Sequence, residues 1–172
     1  AVIPIDGAIA AYMPANADSL IDALDSAFSA TEAKAVVLRI NSPGGSPVQA
    51  DEVYREIRRQ RLIHPDKPLY AVISDMGASG AYYIAVAADK IYVNPSSLVG
   101  SIGVIMPGFG VPELLQKLGV EDRTLAAGAH KNLLSPSKPV NEIEQAHVQG
   151  VLDAVHRQFI AAVKAGRGER LK

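Results

Sequence analysis

The sequence predicts an α/β fold, a mostly parallel sheet with flanking helices. Three observations carry this. Short apolar, β-branched runs alternate with helix-like segments along most of the chain. One of them, Ala35-Val36-Val37-Leu38-Arg39-Ile40, reads as a continuous apolar strand, suited to a sheet covered on both faces. Two glycine turns, Pro43-Gly44-Gly45 and Gly77-Ala78-Ser79-Gly80, each leave a strand and enter a helix, which gathers loops at one edge of the sheet.

The elements follow in order. Residues 1–5 form a short strand, ended by the turn pair Asp6-Gly7. Asp18 opens a helix with Leu20, Ile21, Leu24 and Phe28 on one face. After the second strand, Ser46 caps a helix with Pro47 at its first position and Gln49 completing a capping box. Val48, Val53 and Ile57 are expected inward, and Arg55, Arg58, Arg59 and Arg61 in solvent. Leu69–Ile73 is the next strand, Ser79–Ala88 a helix, and Ile91–Val93 a further strand. Pro112–Leu118 is a short helix stopped by Gly119, and Arg123–Ala127 a last strand. Asn141 caps a long helix with an apolar stripe of Val148, Leu152, Val155, Phe159 and Val163, ended at Gly166.

Length and composition fit one domain over residues 1–172, with 48% hydrophobic and 20% charged residues. A net charge of −1 leaves no electrostatic case for nucleic acid or an anionic membrane surface. The absence of cysteine excludes disulfides, thiol catalysis and cysteine metal sites. The strand-like start, Ala1-Val2-Ile3-Pro4-Ile5, without Met or a secretory leader, reads as a fragment or processed form. Residues 91–112 are uncharged, long enough to raise a membrane span, but Asn94, Pro95, Pro107, Pro112 and the glycines interrupt them. A buried, loop-rich wall of an active site is expected there instead.

Ser79 sits between small residues where a buried strand becomes a helix, the placement of a nucleophile elbow with different letters. The N–H groups of Gly44, Gly45 and Gly80 are candidate oxyanion donors, each typically worth roughly 3–4 kcal/mol in acyl transfer. A serine needs a base. His64 lies at the opposite sheet edge, and His147 and His156 lie on the long helix, which leaves the adjacent His130 and Lys131. Pattern alone favours imidazole, which titrates near neutrality. A lysine ordinarily titrates near ~10.4 and needs apolar burial to stay neutral. The uncharged stretch 91–112 would provide it, with Ser101 aiming the amine.

The motifs Asn41-Ser42-Pro43-Gly44-Gly45, Ala78-Ser79-Gly80-Ala81-Tyr82-Tyr83, Gly100-Ser101-Ile102-Gly103-Val104, Gly128-x-x-Lys131 and Val163-x-x-Gly166-Arg167 occur in this order along nearly the whole chain. Together they resemble the signal peptide peptidase A family of serine proteases, which share the Clp protease and crotonase architecture. The resemblance implies a Ser–Lys dyad of Ser79 and Lys131, with Ser101 positioning the lysine and the Gly44/Gly45 turn and Gly80 as oxyanion donors. It makes Lys131 preferable to His130. Ser46, Ile102, Gly103 and Val104 would pair with an extended, apolar peptide substrate, as in remnant signal peptides. No metal or cofactor is implied.

The same resemblance implies a homo-oligomeric ring, and an inner-membrane-associated protein with an extracytoplasmic catalytic domain. Its membrane anchor would be a segment not present in this chain, and a C-terminal helix and strand usual in the family are also absent. Three other readings stand beside it. A Clp-like Ser-His-Asp peptidase would use His130 with Asp75 or Asp122, a crotonase-type acyl-CoA enzyme would not need Ser79, and a catalytically dead scaffold would bind peptides by strand addition.

Overall fold

The structure, a computed structural model, describes residues 1–170 and separates into two compact units. The first comprises Ala1–Gly103 and the chain from Arg157 on, and the second Val104–His156.

The first unit is a five-stranded sheet with every pairing parallel. Strands β1 (Val2–Asp6), β2 (Val36–Ser42), β3 (Leu69–Ala78) and β4 (Lys90–Val93) lie in that order, and β5 (Leu98–Gly100) pairs with the far end of β3. Helices α1 (Ala17–Ser29), α2 (Pro47–Ile63) and α3 (Gly80–Ala85) pack on one face. The core is their seam, where Ile5, Leu38, Ile40, Leu69 and Ala71 meet Leu24, Phe28, Val53, Ile57 and Ile84. The other face stays open. Arg39 alternates outward on β2 and pairs with Asp6, and Val72 and Tyr92 are exposed. The expected cover on both faces is therefore present on one only.

Several local expectations change for identifiable reasons. Asn16, not Asp18, caps α1, its Oδ1 accepting from the Ser19 N–H at 2.9 Å. Ser46 caps α2, but the Gln49 side chain accepts from the Ala17 N–H at 2.8 Å instead of closing a box, because the Ser46 N–H already donates to Ile9 O. Val48 points to solvent, and Ala50 takes the inward place.

The long helix α5 (Glu142–Arg167) runs through both units, and Asn141 Oδ1 accepts from the Ile143 and Glu144 N–H groups at its start. Its residues Phe159 and Val163 pack with Val86 in the first unit. In the second unit, helix α4 (Pro112–Lys117) ends at Gly119, with the Val120 N–H donating to Leu115 O and the Gly119 N–H to Gln116 O. Residues 123–127 are irregular and exposed, not a strand. No helix among the described residues is long and apolar enough to cross a membrane.

Candidate active site

The site grows from the ends of β2 and β3. Opposite Ile40–Ser42 on β2, β3 runs from Ile73 to Gly77 and so carries two extra residues. Asn41 fills this bulge, its Oδ1 accepting from the Met76 N–H at 3.2 Å and its Nδ2 donating to Asp75 at 3.4 Å. Bulges re-aim a strand, and this one directs β3 toward Ser79.

Ser79 has φ 52° and ψ −125°, a backbone region that costs a residue with a side chain on the order of 1–3 kcal/mol. Two bonds hold it there: its N–H donates to Gly100 O at 2.8 Å, and its carbonyl accepts from the Tyr83 N–H at 2.9 Å. The half-buried side chain makes no capping bond to α3, which leaves the hydroxyl available for other chemistry. Behind it, the Tyr83 hydroxyl donates to Asp51 at 2.9 Å. Burial first, and that bond second, push the Tyr83 phenol above its ordinary range.

The glycine turn packs directly on this serine. A Cβ at Gly44 would lie 2.5 Å from Gly80 N and 2.8 Å from Ser79 Cβ, and Gly44 has φ 88°, so only glycine fits. Of the three expected oxyanion donors, the Gly44 N–H is already committed to Ser42 Oγ at 3.1 Å. The N–H groups of Gly45 and Gly80 have no partner among the described residues. The Ser46 N–H is likewise taken, by Ile9 O at 2.8 Å, and is not free to pair with a substrate strand.

Ser101 follows Gly100, the residue that accepts from the Ser79 N–H, and is exposed with φ 53°. Ile102 is exposed and Gly103 half-buried, in the same unit. The stretch expected to form a buried wall is mostly exposed beyond Gly100, because it holds no helix or strand from 101 to 111.

Val104 and Lys131 belong to the second unit. Lys131 is exposed, in a series of turns, with its N–H donating to Gly128 O at 3.2 Å. Among the described residues Lys131 has no apolar enclosure of the kind expected for a neutral lysine. His130 stacks on His147, ring centroids 6.1 Å apart. Asp122, the same unit's candidate partner for that imidazole, is instead held down at about 2, first by the Thr124 hydroxyl, then by the bonds it accepts from Ser137 and the Thr124 N–H, with Lys138 adding less. The unit also forms an open pocket of about 700 Å³ of mixed polarity, where Leu134, Val148 and Leu152 stand beside Lys138, Asn141 and Glu144. Among the described residues no group of three or more His, Asp or Glu side chains is placed to hold a metal ion.

Sequence reasoning gave no role to Ile9 and quoted Ser42 only as a motif letter. The available signal was a serine two residues before a glycine, a spacing at which a hydroxyl reaches a backbone N–H.

The model of peptidase family S49 matches residues 61–172. The chain is 37% identical over 134 residues to the putative signal peptide peptidase SppA of Enterococcus faecium, covering 78% of this chain and 38% of that protein. It is 43% identical over 148 residues to a Brucella abortus protein named Na(+)/H(+) antiporter NhaA, covering 86% of this chain and 20% of that one. The chain thus spans less than half the length of either relative. Among solved structures, a mutant ClpP1 from Listeria monocytogenes shares the fold, with a TM-score of 0.59 at 15% identity, covering 97% of this chain and 72% of that one.

Proposed function

The chain belongs to peptidase family S49, and from that premise we propose that it is a serine endopeptidase that cleaves apolar peptides through an acyl-enzyme. The single observation that carries the reading is the Ser79 turn: a strained, uncapped serine beside two unclaimed backbone N–H donors.

In this proposal neutral Lys131 takes the proton from Ser79 Oγ as the oxygen bonds to the scissile carbonyl carbon. The oxyanion accepts from the Gly45 and Gly80 N–H groups. Lys131 returns the proton to the amine as the C–N bond breaks. It then deprotonates the water that attacks the acyl carbon, and the acid leaves as Ser79 regains its hydrogen. Ser101 steers the amine, and Ile102, Gly103 and Val104 line the extended peptide. Apolar peptides, with remnant signal peptides as the class, are the substrates that the aliphatic side chains of Ile102 and Val104 would accept.

A neutral lysine needs shelter from water, and Lys131 is exposed on one chain. A second copy of the chain is the cover we propose. Phe109, Leu125 and Ile143, at 89%, 97% and 75% exposure, support self-association.

The test is turnover of a short apolar peptide by Lys131→Ala and His130→Ala, with labelling of Ser79 by a serine-reactive acylating probe. Lys131→Ala should be inactive yet folded, His130→Ala active, and Ser79 labelled. Activity in Lys131→Ala refutes the base, and an unlabelled Ser79 favours acyl-CoA chemistry.

A further inference from the structure

We propose that Ser42 is a positioning residue for the oxyanion hole, fixing the glycine turn so that Gly45 rather than Gly44 presents its N–H. The inference rests on the reading of Ser79 as nucleophile.

Ser42 ends β2 and is fully buried. A buried hydroxyl is costly unless bonded, and this one accepts from the Gly44 N–H. The turn is anchored a second time by Ile9, whose N–H donates to Gly44 O at 2.9 Å and whose carbonyl accepts from the Ser46 N–H at 2.8 Å. In a trans peptide the C=O and N–H point in opposite directions. Holding Gly44 O on Ile9 therefore sends the Gly45 N–H away from Ile9.

Gly80 lies close by. A Cβ built on it would be 3.4 Å from Gly45 N, and one built on Gly44 would be 2.5 Å from Gly80 N. Two unclaimed donors from separate turns thus become neighbours beside Ser79. Glycines have no side chain to hold such a turn and are free to rotate. The Ser42 hydroxyl and the Ile9 backbone supply the restraint instead, and only the first can be removed by a side-chain substitution.

The experiment compares the full chain with Ser42→Ala, Ser42→Cys, Ser42→Thr and Ser79→Ala. It measures kcat and KM for an apolar peptide, inhibition by a peptide aldehyde that forms a tetrahedral adduct, and thermal midpoint. Misplaced oxyanion donors lower kcat, so Ser42→Ala should lose roughly 10- to 100-fold in kcat with KM within about threefold. Aldehyde affinity should fall in parallel. Thr keeps the hydroxyl and should restore most of the loss. Cys, nearly isosteric but a weak acceptor, should fall between, and gives the same ordering if the alanine variant does not fold. Ser42 variants that keep kcat and aldehyde affinity, or change only KM and the midpoint, overturn the inference. Turnover by Ser79→Ala overturns the underlying reading instead.

Discussion

The turn that carries Ser79 and the turn that carries Lys131 are held in opposite ways. Around Ser79 the chain is restrained by Gly100, Tyr83, Ser42 and Ile9, and the packing is tight enough that a single carbon added at Gly44 would collide with three atoms. Around Lys131 the chain runs through exposed turns, and a carbon added at Gly128 would meet only Lys131 Cβ, at 3.9 Å. The contrast matches what each group would contribute. Backbone donors stabilise an oxyanion because they need not reorganise. A lysine carries its amine on a flexible four-carbon stem and can be delivered by a looser segment.

The largest expected effect separates the two turns by activity alone. Lys131→Ala should lower kcat by roughly 10³-fold or more, while its thermal midpoint stays within about 2 °C, since an exposed side chain contributes little to stability. A parallel loss of both would show that the Lys131 turn is as structural as the other.

Gly44→Ala should do both kinds of damage. Its Cβ would sit 2.5 Å from Gly80 N and 2.7 Å from Ala78 O at φ 88°. Roughly 2–4 kcal/mol of stability should be lost in urea melts, together with turnover. A stable, active Gly44→Ala would mean that the turn can open.

Titration should loosen the two regions from opposite ends of the pH scale. The Tyr83 phenol is raised above its ordinary value of 10.0, so its contribution is complete below about pH 10 and is lost as the pH rises further. The Asp122 carboxyl is lowered from 3.8 to about 2, so its contribution is present above the ordinary value and is lost as the pH falls toward 2. Melting curves of Tyr83→Phe should lose the alkaline slope and keep the acid one, and those of Asp122→Asn the reverse.

The smallest effect is Gly128→Ala. With φ 107° and open space around it, backbone strain of about 1 kcal/mol is the whole expected cost. A loss as large as that of Gly44→Ala would abolish the distinction between the turns.

Much of this was legible because it is local. Ser46 and Asn141 cap the helices that follow them, and Gly119 ends α4, each through contacts within a few residues. The misses share a different cause. The β3 bulge was invisible because Asn41 satisfies Met76 from 35 residues away. Gln49 left its expected box for Ala17, 32 residues away. Residues 123–127 carry a strand-like composition, but no strand pairs with them.

By itself, the sequence determined the alternation of strands and helices, the glycine turns at the strand ends, and the serine between them, because periodicity, capping and backbone freedom act over a few residues. Only the tertiary structure decided which N–H groups the turn leaves open. That depends on where Gly44 O and the Ser46 N–H find partners, and both find them on Ile9, in a segment far back in the chain.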